Sequence, residues 1–568
     1  MTSRQVPPSL KLQSRWVGAL PLVNSFLQRL GVETLLERAI PRAGRIAPAR
    51  ALGVLLRNIA LNDRQPIYTH VEWAARADPP LIGLAEGEAA YLNDDRVGRA
   101  LDRLFDADRA ALMTELVLSA IREFHIDLEQ LHNDSTTVTF SGLYAQADGR
   151  SIRGKPTAVV QYGHNKDHRP DLKQLLFVLT VSADGAVPIH YRALSGATSD
   201  SRTHIDTWEM LRKLTGTAAF LYVADCKLCS KATLQHIDKH HGRFITVLPR
   251  NRREDKWFRS YIQTHDPPWQ EALRRPNPRR RSGPQDVWKV VEAEVPCAEG
   301  YRVVWVWNSL MASQDAEARE ARIEKANAAI EGLQKKLQGK RCRLKTRERV
   351  QEIAEKLLRD SGGERWVRAE VQERSEPVYR QEKRGRPGPK THYLRRQRSR
   401  FSVTARVRTE LVTTDARSDG MFPLITNCHD LSLKAILQAY KFQPRLEKRH
   451  EQLKSVQEVR PVWLKNIGRV EALLFLYFVA LLVQALLERE IRLAMARKHI
   501  ESLPLYPEER ECRAPSAQRI FEVFADLERH QLMRSGRLLS VFPPELSKLQ
   551  RKILHLLRIR AEAFRSQP

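Results

Sequence analysis

The sequence predicts an α/β protein whose core is split by a long mixed β/helical insertion and flanked by helical N-terminal and C-terminal regions. Three observations predict it. Residues 126–250 alternate strand-like and helix-like stretches, and residues 251–420 lose that alternation. Near both ends of the chain, apolar positions recur at the three- and four-residue spacings of helices.

Composition bounds the answer. The 568 residues are enough for three or four domains at about 150 residues each. With 29% charged and 42% hydrophobic residues, wholesale disorder is excluded. The excess of 95 Lys+Arg over 67 Asp+Glu gives a net charge of +28 and a pI near 10.1, which points to a polyanion: nucleic acid or an anionic membrane surface. Six cysteines (226, 229, 297, 342, 428 and 512) are too sparse for a disulfide scaffold. The first fifteen residues are polar and Pro-punctuated, without the apolar core of a signal peptide, so a cytoplasmic, nucleoid-associated protein is expected.

Taken in order, residues 1–125 read as a helical domain, with helical periods at 48–61 and 110–124 separated by Pro-rich breaks. From 126 to 250, IDLEQLHNDSTTVTFSG alternates as a strand, and LKQLLFVLTVSADG with VPIHYRAL forms a hairpin turning at Ala183-Asp184-Gly185. A helix over 199–216, the strand AAFLYVAD (218–225), the helix KATLQHIDKHH and the strand FITVLP (244–249) complete the pattern. In the insertion, 251–420, YRVVWVW (301–307) and FSVTARVRTEL (401–411) read as strands. Ile323, Ala326, Ile330, Leu333 and Leu337, resumed by Val350, Ile353 and Leu357, mark an antiparallel helical hairpin. Residues 378–400 hold nine Lys/Arg against one Glu, a solvated linker or a phosphate contact. Helices return over 421–500, and 501–568 reads as a basic helical tail.

One segment mimics a membrane span. Residues 472–487 (ALLFLYFVALLVQALL) contain a single polar residue, Gln484. A spanning helix needs about 20 apolar residues, so the shorter run reads as a buried core helix.

The chemistry centres on carboxylates. Asp134 lies inside the first strand, and Asp225 ends the apolar strand FLYVAD, where a charge is costly unless paired or bound to metal. Strand ends are also where open α/β sheets place their sites. Glu447 and Lys454 lie seven residues apart, two helical turns, and are expected to share a face. Two Asp and one Glu could hold two Mg²⁺ ions about 4 Å apart, oxygen-only donors suiting Mg²⁺ or Mn²⁺ over Zn²⁺. Cys226-x2-Cys229 lacks a second such pair, and His236, His240 and His241 do not follow a zinc-ligand spacing, so zinc is disfavoured there.

Together these residues resemble an insertion-sequence DDE transposase, in the branch with the Y-x2-R-x3-E-x6-K signature, over about 128–490. HNDSTT resembles the first-Asp strand, YGHNKDHRPDLKQLLFVLTV with GATSD the second and third strands, and VADCKLCS the second-Asp motif. DGMFPLITN precedes the last catalytic helix, on which Tyr440, Glu447 and Lys454 fit the signature; VRPVW (459–463) and the apolar helix follow. Gln443 stands in place of the signature Arg, with Arg445 two residues on. Pro444 sits inside the expected helix and would kink or restart it, and Cys226-Lys227 follows the second Asp.

The resemblance implies an RNase H-like core in which Asp134, Asp225 and Glu447 are the catalytic, metal-holding residues, with two Mg²⁺ (or Mn²⁺) as cofactor. Tyr440, Arg445 and Lys454 would contact DNA. The implied function is Mg²⁺-dependent cleavage of double-stranded DNA at terminal inverted repeats and joining to target DNA by a homodimer, with DNA-end binding by the N-terminal region. Two other readings share these residues: a transposase-derived DNA-binding protein that no longer cleaves, and a structure-specific RNase H-like nuclease.

Overall fold

The computed structural model describes residues 10–61, 69–277, 283–339, 342–456, 464–535 and 537–565. The chain divides into two compact units, Met1–Thr246 with Gln438–Pro568, and Val247–Leu437.

The first unit opens with β1 (Leu10–Trp16) and the helices α1 (Leu20–Leu30), α2 (Val32–Ala39), α3 (Pro48–Ala60), α4 (His70–Arg76), α5 (Asp94–Asp106) and α6 (Arg109–Phe124). Two of these start on side-chain caps: Asn93 accepts the Arg96 amide, and Asp108 accepts those of Ala110 and Ala111. Then follow β2 (Gln130–Phe140), β3 (Lys173–Ser182), β4 (Pro188–Ser195), α7 (Thr203–Thr215), β5 (Leu221–Ala224), α8 (Lys231–Lys239) and β6 (Arg243–Val247), the strand and helix order read from the sequence.

The second unit holds α9 (Arg253–Ile262), β7 (Gln270–Arg275), β8 (Asp286–Glu292), β9 (Arg302–Asn308), α10 (Ser309–Gln338), α11 (Arg347–Ser361), β10 (Val367–Gln381), β11 (Tyr393–Val407), α12 (Thr409–Ala416) and β12 (Met421–Thr426). After α13 (Leu433–Tyr440), the chain continues in the first unit with α14 (Gln443–Glu451), α15 (Ile467–Arg497), α16 (Ala517–Phe524), β13 (Glu528–Arg534), β14 (Arg537–Phe542) and α17 (Lys548–Leu557). VRPVW lies outside the described residues.

In the first unit the sheet order is β4-β3-β2-β5-β6. β2, β3 and β4 are antiparallel, and β5 and β6 run parallel to β2. The β3–β4 turn uses Gly185 at φ +82, where an added Cβ would also sit 2.9 Å from the Arg489 side chain. The apolar helix is α15, and the apolar window within it is entirely buried inside the protein. Its lone amide, Gln484, is satisfied: it donates to the Ala60 carbonyl at 2.7 Å and accepts from Gln452. That agrees with a core helix.

Two expectations need correction. The front of the chain is not all helical, because β1 pairs antiparallel with β13, which pairs with β14. The tail is therefore not purely helical either. No local pattern marks this sheet, since its strands come from opposite ends of the chain. A fully buried Arg529–Asp78 ion pair and a Trp16 Nε1 donation to the Ala525 carbonyl (2.7 Å) tie the two ends together.

In the second unit the order is β12-β9-β8-β7, antiparallel throughout. The helical hairpin is present as α10 and α11, and its seam packs inside the chain. The basic stretch 378–400 is no linker: its ends pair in register within the β10–β11 ribbon, Val378 with Arg396 and Tyr379 with Arg395.

Candidate active site

The parallel register of β2 and β5 pairs Asn133 with Ala224. The next step sets Asp134 beside Asp225, at strand spacing and on one face of the sheet. Asp134 is two residues from His132 and four from Gln130, so by the period of a strand all three side chains point the same way. That face receives the chain at 439–450. Gln130 Nε2 donates to the Ala439 carbonyl at 3.3 Å, and the Phe442 ring lies 4.7 Å from the His132 ring.

Gln443, standing where the signature has Arg, is the clamp between helix and strand. Gln130 donates to His132 Nε2 (2.7 Å), which leaves the proton on Nδ1, and that Nδ1–H donates to Gln443 Oε1 at 3.0 Å. Gln443 Nε2 in turn donates to the Asn133 carbonyl at 3.3 Å. Burial holds His132 neutral, lowering its pKa to about 4 against the opposing hydrogen bond from Gln443. Pro444 is not inside a continuous helix. α13 stops at Tyr440 and α14 starts at Gln443, so Pro444 occupies the first turn, where a missing N–H costs nothing.

Tyr440 reports what converges here. Its pKa is raised to about 12 by burial and then by the negative charges of Asp225, Glu447, Cys226 and Asp134. Glu447 is raised as well, by burial and by Asp134, with Lys441 opposing. The three predicted carboxylates thus surround one hydroxyl. Their ligand atoms are more widely spread than one ion requires. Among the described residues, the clusters with ligand atoms within 4.8 Å lie elsewhere: Glu209–His236–His240 and Glu254–Cys297–Glu299. In the first, Arg212 already pairs with Glu209 at 2.8 Å.

Asp134 accepts the Ser135 amide at 2.7 Å, and Asp225 accepts the Lys227 amide at 3.0 Å, so backbone geometry orients both carboxylates. Lys454 is placed differently from the prediction. A π-helical turn, Gln452–Val456, follows α14 and breaks the two-turn spacing from Glu447. Lys454 Nζ reaches Asp167 at 2.7 Å. Arg445 is exposed, its guanidinium 5.0 Å from the Phe442 ring centre.

Sequence reasoning assigned no role to Lys166, Asp167 or His450. Lys166 and Asp167 belong to the YGHNKDH loop before β3. Lys166 Nζ donates to the Ser135 carbonyl (2.6 Å) and lies 3.5 Å from Asp134, and Asp167 accepts from Thr137 at 3.3 Å. His450 is buried 3.7 Å from Asp134, with neither ring nitrogen hydrogen-bonded, and burial lowers its pKa to about 3. The available signal was the i, i+3 spacing of Glu447 and His450 on one helix.

Arg449 fixes α14 from behind, donating to the carbonyls of Ala186 (3.0 Å) and Gly185 (3.1 Å) and pairing with Glu488 at 2.9 Å. The helix bearing Glu447 is therefore held to β2, to the β3–β4 turn and to α15.

Residues 12–118 match a family described as a domain of unknown function, DUF4277. No curated protein matches the chain. Among solved structures, the chain is similar to a piggyBac transposase in a cryo-EM synaptic complex with hairpin DNA. The identity is 9%, covering 89% of this chain and 78% of that one, with a TM-score of 0.34. The chemical argument accordingly rests on the residues of the site.

Proposed function

We propose that the chain is a DNA transposase that cleaves phosphodiester bonds at the ends of its mobile element and joins the freed 3′-OH to target DNA. The observation that carries this reading is the convergence of Asp134, Asp225 and Glu447 on the Tyr440 hydroxyl at one end of the sheet. The strand order β4-β3-β2-β5-β6, three antiparallel strands followed by two parallel ones, supports an RNase H-like core.

The donors fit a hard divalent cation. They are oxygens only, and their mutual repulsion, seen in the raised Glu447 and Tyr440, is what bound positive charge relieves. A spread wider than a single-ion cluster suits two ions about 4 Å apart. Asp134, Asp225 and Glu447 would hold Mg²⁺ or Mn²⁺, which when bound stabilises the charge developing on the phosphate in phosphoryl transfer.

The chain's own residues supply the rest. Tyr440 stays protonated at neutral pH and can donate to a phosphate oxygen near the cut end. Lys166 and Lys454, anchored around Asp134 and Asp167, set positive charge where the DNA backbone would lie. Arg445 faces solvent and reaches backbone phosphate beyond the site. Gln443 and Arg449 position the helix that presents Glu447. Two such chains would act together in the DNA complex, one at each end.

The test uses the full chain, a DNA fragment bearing the inverted repeats, and Mg²⁺. Nicked and joined products are expected from the wild type and not from Asp134→Ala. Equal products from the variant would remove the site assignment, and binding without cleavage by the wild type would remove the enzymatic reading.

A further inference from the structure

The outer part of the β10–β11 ribbon is not explained by packing within the chain. At its base, Val367, Ala369, Val371, Phe401 and Val403 are buried in one core with α10 and α11. Beyond that, Gln372–Arg380 and Tyr393–Arg400 are exposed at every position, on both faces. A two-stranded ribbon with no covered face is marginal in water. Arg374, Arg380, Arg395, Arg396, Arg398 and Arg400 line it, against Glu373 and Glu376. At about 3.4 Å per residue this bare part extends about 30 Å.

Its tip reads Arg384-Gly385-Arg386-Pro387-Gly388-Pro389-Lys390, all exposed. The loop closes on itself: Gln381 Nε2 donates to the Gly385 carbonyl (3.1 Å), and Thr391 both donates its amide to the Gly388 carbonyl (3.0 Å) and accepts the Gly388 amide (2.8 Å). The fold does not need either glycine. Neither has a left-handed φ, and a Cβ added at Gly385 or Gly388 meets nothing within 4 Å. Their bareness therefore serves something outside the chain.

The chemistry of this tip selects a ligand. An Arg-Gly-Arg step holds two guanidinium groups on a backbone thin enough for a groove about 6 Å wide, which is the DNA minor groove. The adjoining prolines restrict the backbone and remove N–H groups that would need partners. A·T-rich minor grooves are narrow, concentrate negative potential and draw in Arg, whereas the guanine 2-amino group obstructs the floor of G·C tracts. We propose that Arg384-Gly385-Arg386-Pro387 inserts into the minor groove of A·T-rich duplex DNA, with the ribbon arginines on the flanking phosphates. The inference rests on the reading that the chain acts on duplex DNA, and not on its cleaving that DNA.

Fluorescence anisotropy with the full chain and equal-length A·T, G·C and inosine·C duplexes tests it. Inosine·C shows a G·C-like major groove but lacks the minor-groove amino group. Binding to A·T and inosine·C duplexes is expected to be at least about tenfold tighter than to G·C. The double variant Arg384→Ala/Arg386→Ala should erase that difference. So should Gly385→Val, which keeps every charge at an exposed position and thickens the inserted backbone. Equal binding to all three duplexes, inosine·C behaving like G·C, or an unchanged preference in either variant overturns the proposal. Failure to bind any duplex overturns the DNA reading itself.

Discussion

Replacing Gln443 by Arg would restore the signature residue, yet the structure predicts that it harms the protein. Gln443 is 7% exposed and joins α14 to β2 through two hydrogen bonds, one from the His132 Nδ1–H and one to the Asn133 carbonyl. A guanidinium has donors only, so it cannot accept from His132, which is itself held neutral by burial. Two buried groups lose their partners, at about 1–3 kcal/mol each, or about 2–5 kcal/mol together before the cost of desolvating the new charge. At about 2 °C per kcal/mol in a unit of this size, the melting temperature should fall by about 4–10 °C. Gln443→Leu, which removes the same bonds without adding charge, separates the two costs and should lie between wild type and Arg. The assay is thermal unfolding of the full chain followed by near-UV circular dichroism, alongside DNA cleavage. An Arg variant as stable as wild type, with cleavage equal or higher, would refute the clamp.

Three further outcomes follow from the geometry. Glu447→Gln should abolish cleavage while raising the melting temperature at neutral pH: a raised carboxyl pKa means stability present below the unfolded value near 4.5 and lost as pH rises through the folded one. The gain should vanish near pH 4, and a variant less stable at pH 7.5 would contradict it. His70, fully buried with neither ring nitrogen hydrogen-bonded, has its pKa lowered to about 4, so its contribution is present above the unfolded value near 6.5 and lost as pH falls toward 4. That is worth about 3 kcal/mol when fully developed, and His70→Leu should flatten the acid limb of a urea-midpoint-versus-pH curve. Gly185→Ala should destabilise by about 1–3 kcal/mol in urea unfolding, because φ is +82 and the Arg489 side chain fills the space of the new methyl; an unchanged midpoint would show that the turn yields freely.

Much of the core was legible because its signals are local. Thr/Val alternation around Asp134, the apolar strand ending in Asp225 and the heptad seam of 323–357 each specify an element whose stabilising contacts lie close in sequence. The three-stranded sheet of β1, β13 and β14 was not legible, because its strands come from opposite ends of the chain. Lys166, Asp167 and His450 were missed for the same reason: a loop and a helix far apart in sequence meet only when both dock on β2.

By itself, the sequence determined the residue types that the chemistry needs: three carboxylates on recognisable elements, a basic excess of +28, and an apolar helix too short and too polar at its flanks to be anything but core. Only the tertiary structure decided how those groups meet. It turned Gln443 from a departure into a clamp, made Pro444 the start of a new helix, and took Lys454 to Asp167 through a π turn. The physical reason is range. Helix and strand periods act over a few residues, whereas the pairing of a buried amide or the field on a tyrosine hydroxyl depends on which distant segments are packed together.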